Sequence, residues 1–125
     1  MTRNKFLLTA AVAAALCLAG LQAARAQDPA VVNAKTIKIK LENAKVRVLE
    51  ATLKPGEKEQ MHSHPAYVIY VIEGGKVRNH SADGKTNESE LKTGDVIYRD
   101  PLTHFAENIG TTTMHMILVE LKSPS

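Results

Sequence analysis

Five histidines carry most of the chemistry this sequence can do: His62, His64, His80, His104 and His115. His62 and His64 sit two residues apart. On a β-strand, residues i and i+2 leave the same face, roughly 6.5–7 Å apart along the chain. Two imidazoles at that spacing can converge on one ion, and neutral imidazole is a common ligand of Zn, Cu, Fe and Ni. A His-x-His pair is not a site by itself, because a third ligand must come from elsewhere in the chain. No Ser-His-Asp order and no evident general-base carboxylate accompany the pair. Nucleophilic catalysis is therefore disfavoured, and any turnover would have to use a metal to polarise substrate or to activate water or dioxygen.

The elements that must position these residues read as all β. Ile37–Leu41 alternates apolar and polar residues, as a half-buried strand does. Further strands are expected over Val46–Leu53, Gln60–His64, Tyr67–Glu73, Lys76–His80, Lys85–Leu91, Val96–Arg99, His104–Asn108 and Thr112–Leu121. Turn signals separate them at Lys54-Pro55-Gly56-Glu57, Gly74-Gly75, Asp83-Gly84, Lys92-Thr93-Gly94-Asp95, Asp100-Pro101 and Gly110. Residues 27–34 read as a loose leader. No stretch of ten residues beyond residue 26 combines helical periodicity with caps. Short strands with turns at this density predict a sandwich or small barrel.

The first 26 residues have the three-part layout of a secretory signal peptide. Arg3 and Lys5 open it, Phe6 to Leu21 is an apolar run, and Ala24-Arg25-Ala26 supplies the small-x-small end. Removing these 26 of 125 residues leaves 99. Arg3, Lys5 and Arg25 depart from 16 basic residues, which leaves 13 against 13 acidic. A nucleic-acid partner or an anionic membrane surface then loses its electrostatic support. Cys17, the one cysteine, departs as well, so the mature chain has neither a disulfide nor a thiolate ligand. The expected location is periplasmic or secreted, with no membrane association after cleavage.

Gly56, five residues, His62-Ser63-His64 and then Gly74-Gly75 form a pattern. Gly94, His104 and Asn108 follow it. The arrangement resembles the cupin family, whose first motif reads G-x5-H-x-H-x3–4-E-x6-G and whose second reads G-x5-P-x-G-x2-H-x3-N. The likeness runs from Lys45 to Leu121. It is nearest to the small single-domain cupins of the β-alanine degradation type, through Val46–Glu50, Met61–Pro65 and Ala106–Gly110. The motif glutamate is absent: its place falls on Val68, or on Tyr67 if Gly74 closes the motif. In the second motif Arg99 stands at the proline position and Pro101 at the glycine position, and the stretch from Gly94 to His104 is one residue short.

The resemblance implies a single-domain jelly-roll β-barrel over residues 45–125, preceded by a leader and first strand over 27–44, and a homodimer. It also implies a divalent transition metal (Fe, Zn, Mn, Ni or Cu) held by His62, His64 and His104. Three neutral imidazoles leave the ion's double charge intact, with coordination positions open for water or a small-molecule ligand. Gln60 shares the parity of His62 and His64, so it is expected either to hydrogen-bond a ligand imidazole or bound water or to be a polar barrel residue. Thr113, His115, Ile117, Val119 and Leu121 read as an inward face, which makes His115 a fourth ligand, a donor to one, or a satisfied interior residue. Tyr67 reaches the pocket only if Pro65 resets the pleat. Asn108 is expected to fix the strand after His104, and His80, before a turn, to be solvated.

Three kinds of function follow. One is a metal-dependent enzyme of dioxygenase, isomerase or lyase type, another a metal- or ligand-binding module without turnover, and the third a metal-free structural dimer.

Overall fold

The computed structural model describes residues 27–123. Chain reversal depends on glycine at two of the motif positions. Gly56 and Gly94 have φ of +81° and +90°, the left-handed region that a Cβ disfavours. They close the turns over residues 54–57 and 92–95, in which Glu57 N–H donates to the Lys54 carbonyl and Asp95 N–H to the Lys92 carbonyl.

Between the turns run β1 (Ile37–Glu42), β2 (Val46–Leu53), β3 (His62–His64), β4 (Tyr67–Glu73), β5 (Gly75–Ser81), β6 (Thr86–Leu91), β7 (Val96–Arg99), β8 (Leu102–Asn108) and β9 (Met114–Leu121). They form a five-stranded sheet in the order β1-β2-β9-β4-β7 and a four-stranded sheet in the order β3-β8-β5-β6. Every pairing is antiparallel. Period-two alternation places one face of each strand inward. Leu49, Ala51 and Leu53 of β2, Tyr67, Ile69 and Val71 of β4, and Met114, Met116 and Leu118 of β9 meet Val77, Leu91 and Ala106 of the second sheet in one buried core. This is the all-β architecture that the strand pattern implied, in the jelly-roll form that the resemblance implied.

The segment before β1 is docked, contrary to the loose leader expected from its sequence. Pro29–Val32 forms a single helical turn, α1, with Asp28 as its N-cap accepting the Ala30 N–H at 2.9 Å. Proline at the first helical position and aspartate before it favour a helix start, but one turn is too short to show periodicity. Arg47 of β2 grips Asp28 at 2.8 Å. Asn33 accepts the Gln60 N–H at 2.6 Å and donates to the Gln60 carbonyl at 3.2 Å. Residues 1–26, which carry the expected signal peptide, lie outside the described residues. Among the described residues no helix is long and apolar enough to cross a membrane.

Asn108 fixes the end of β8. Its Nδ2 donates to the Leu53 and Thr112 carbonyls, both at 2.8 Å, and its Oδ1 accepts the Gly110 N–H at 3.0 Å. The residue is 1% exposed. Asn108→Ala strands buried main-chain groups and is expected to destabilise the protein by about 2–3 kcal/mol. Urea denaturation of the metal-free protein checks this.

Candidate metal centre

The β3–β8 ladder brings the histidines together. His62 lies directly opposite His104 in its register, and His64 is two residues on, on the same face of β3. Ring centroids are 4.7 Å apart for His62 and His64, 4.9 Å for His62 and His104, and 5.5 Å for His64 and His104. One ring nitrogen from each of the three lies within 4.8 Å of the others. They sit at one wall of a cavity of about 360 Å³ between the sheets. His62 and His64 are 1% and 4% exposed.

Each ring is oriented by an oxygen acceptor at Nδ1. His64 Nδ1 is 2.7 Å from Glu120 Oε2, His62 Nδ1 is 2.7 Å from the Gln60 carbonyl, and His104 Nδ1 is 3.2 Å from Asn79 Oδ1. Carbonyl and carboxylate oxygens only accept, so each of these contacts calls for a proton on Nδ1; at His62 the Asn33 amide nitrogen also lies 3.1 Å from Nδ1, but the Gln60 carbonyl is nearer at 2.7 Å, and each neutral ring then turns an Nε2 lone pair the other way. The His62 and His64 Nε2 atoms face each other at 2.9 Å. With both Nδ1 atoms protonated, two lone pairs meet there with no proton between them. Burial opposes a proton on the His62 ring, pushing it down to about 4, and burial with the neighbouring histidines pushes His104 down to about 3. A cation shared by the Nε2 atoms satisfies the donor set. The three histidines can therefore hold a metal ion.

Residues 49–120 match the family model of the cupin domain. The chain belongs to the cupin family. Solved structures agree on the fold. A cupin domain from Bordetella pertussis is 24% identical with a TM-score of 0.64, over 70% of this chain and 92% of that one. A conserved protein with a double-stranded β-helix domain from Klebsiella pneumoniae is 26% identical with a TM-score of 0.56, over 67% and 73%. An RmlC-like cupin from Methanocaldococcus jannaschii is 16% identical with a TM-score of 0.56, over 68% and 77%. No curated protein matches the chain.

This cupin has no carboxylate at Tyr67 or Val68, but its cavity does contain one, contrary to the expectation from sequence. Residues 57–59 run antiparallel to β8, with Glu59 N–H donating to the Ala106 carbonyl at 2.9 Å. The ladder then breaks at residues 60 and 61. Glu59 Oε2 accepts the Ala106 N–H at 2.9 Å in place of a main-chain carbonyl, which draws the carboxyl inward to 3.8 Å from His62 Nε2. Burial pushes Glu59 up to about 7, against the pull of that hydrogen bond. A second carboxylate, Glu120, lies behind His64. Burial alone would raise its pKa, but hydrogen bonds from His64 and Arg47 outweigh it and hold Glu120 below the usual carboxylate value.

The other residues singled out divide between the cavity and the outside. Gln60 is exposed and supports His62 through its main-chain carbonyl; its side chain is not the one that acts. Tyr67 does reach the cavity. The chain crosses between sheets at Pro65-Ala66, so parity does not carry over, and the Tyr67 ring packs 4.5 Å from that of His64. Burial raises the Tyr67 phenol to about 12. His115 faces outward, where Nε2 lies 3.3 Å from Glu50, because the inward set of β9 is Met114, Met116, Leu118 and Glu120. His80 is also outside but not freely solvated, since it stacks on Phe105 at 4.2 Å and bonds Glu107 at 3.1 Å.

Proposed function

We propose that this cupin binds one divalent transition-metal ion through His62, His64 and His104 and presents it to a small molecule in the adjoining cavity. The observation that carries the reading is the set of three Nδ1 acceptors, which leaves the Nε2 lone pairs turned inward and unpartnered. The ion would supply Lewis-acid polarisation or, if redox-active, electron transfer. The chain's own residues do the rest. Tyr67 and the apolar wall limit water beside His64, and Glu59 offers a carboxyl near His62 that can hold or accept a proton from a bound molecule. Dioxygenase, isomerase and lyase chemistry fit these parts, as does reversible binding. The protein is first tested untagged and metal-free by titration with Zn²⁺ and Co²⁺. About one ion per chain is expected, and no binding would end this reading.

The chain is proposed to be exported, on the layout of residues 1–26, and to pair with a second copy of itself. The outer face of the larger sheet supports pairing. Cross-strand register aligns Leu41, Val48, Val119, Val68 and Tyr98 in one row, and Ile117, Tyr70 and Val96 in the next, which Glu50 and Lys38 continue across β2 and β1. Tyr70, Tyr98 and Val96 are 49%, 59% and 70% exposed, and β7 is an open edge of four residues. The apolar patch that β9, β4 and β7 share, with an open strand edge beside it, favours burial against a like surface. Tyr98→Asp is expected to weaken self-association by roughly two orders of magnitude. Light scattering after size exclusion should then read one chain where the wild type reads two.

A further inference from the structure

Three arginines fall among the described residues, and they differ in their partners. Arg47 holds Asp28 and Glu120, and Arg78 holds Glu88 and Glu107. Arg99 makes no ion pair and no side-chain hydrogen bond among the described residues, although it is half-buried and lines the cavity. The β4–β7 register sets it opposite Tyr67, whose ring packs on His64. The guanidinium therefore stands at the same end of the cavity as the histidines. Its charge reaches them: it is among the influences that lower the His104 and Tyr67 pKa values. A guanidinium with five donors and no acceptor is unlike anything else in this wall, and its planar fork matches a carboxylate.

A second observation comes from the opposite sheet. Ser89 Oγ is buried with no hydrogen-bond partner, and it also lines the cavity. Between the two lie apolar walls from Ile69, Val77, Leu91, Met116 and Leu118. A buried hydroxyl without a partner is uncommon unless something else fills its bonding capacity.

The geometry points to a short monocarboxylate as the ligand of this cavity, with its carboxylate on Arg99 beside the three histidines and its hydrocarbon body against the apolar wall that leads towards Ser89. This deepens the function proposed above and rests on it for the ion. Charge favours the assignment. Three imidazoles leave the ion's two positive charges uncompensated and Arg99 adds another, while Glu59 alone among the cavity's side chains opposes them. A cavity of about 360 Å³ is at the small end for ligand sites, which fits a short acyl chain.

The test uses butyrate and its neutral isostere butyramide as probes, titrated calorimetrically into metal-free and Zn-loaded protein. Butyrate is expected to bind at least tenfold more tightly than butyramide to both forms. Arg99→Gln is expected to remove that preference while leaving zinc stoichiometry unchanged, and Arg99→Lys to keep the preference at intermediate affinity. Equal binding of the two probes, no binding of butyrate to either form, or a preference that survives Arg99→Gln would overturn the assignment. A preference that vanishes on metal removal and ignores Arg99→Gln would mean that the carboxylate binds the ion, which overturns this inference and leaves the metal reading intact. Failure of zinc to bind would remove the metal reading alone, because the metal-free titration still reports on Arg99.

Discussion

Replacing His62 and His104 together by alanine should take the purified, untagged protein from about one transition-metal ion per chain to background. The two residues face each other across the β3–β8 ladder with ring centroids 4.9 Å apart. Their loss leaves His64 as a single imidazole. The drop in affinity should exceed the roughly 10–100-fold that accompanies loss of a residue merely supporting a ligand. Neither substitution removes a backbone bond. The expected structural damage is the loss of ring packing and of hydrogen bonds at Gln60 and Asn79. His115→Ala is the matched control, because His115 lies on the outer face against Glu50, and it should retain the full complement of metal. Stability supplies a second readout. An ion at 100 times its dissociation constant adds about 2.7 kcal/mol to the wild type and nothing to the double variant. A double variant that keeps its ion, or a wild type that takes none after reconstitution with Fe(II), Zn, Mn, Ni and Cu, would return the protein to the metal-free alternatives.

The parts of this site that were legible from sequence are those within one strand. His62 and His64 share β3, so period-two parity alone puts them on one face. His104 needed the family spacing, and the fold then placed it opposite His62. Legibility ended wherever the chain changed sheet or the ladder broke. Tyr67 follows a crossing between sheets at Pro65, so counting parity from His64 misplaces it. Glu59 precedes a two-residue break in pairing with β8, and its inward turn comes from capping the Ala106 N–H, which has no periodic signature. The inward face of β9 was misread for a different reason. Its outer residues Ile117, Val119 and Leu121 are as apolar as Met114, Met116 and Leu118, because β9 is the central strand of the sheet whose outer face is also apolar. Hydrophobicity does not choose between the two faces of such a strand. The docked segment over 27–34 was read as loose because a single helical turn has no period to detect.

Glu120 is the residue whose loss should damage both fold and site. It is 2% exposed and joins two functions. Oε2 accepts from His64 Nδ1 at 2.7 Å, and Oε1 accepts from Arg47 Nε at 2.6 Å. Arg47 in turn reaches Asp28 at 2.8 Å, so the chain of contacts runs from the docked N-terminal segment through Glu120 to the candidate ligand. Removing one partner of a buried ion pair leaves the other charge uncompensated, which costs about 3–5 kcal/mol. Arg47 keeps Asp28, so Glu120→Ala should fall near the lower end, about 3 kcal/mol in denaturation of the metal-free protein. The same change frees the His64 ring to rotate and to choose its tautomer, and zinc affinity should fall by roughly 10–100-fold. Two further variants separate these effects. Arg47→Met removes the ion pair but leaves the His64 contact, so it should reduce stability with a smaller change in affinity. Glu120→Gln keeps an amide oxygen that can accept from His64 Nδ1, but presents an NH₂ to the guanidinium or loses one contact to avoid it. It should therefore lose stability while retaining more zinc affinity than the alanine variant. A Glu120→Ala protein that unfolds more easily yet binds zinc as tightly as the wild type would show that ring packing against Tyr67 and His62 orients His64 without help. The carboxylate behind it would then serve the fold alone.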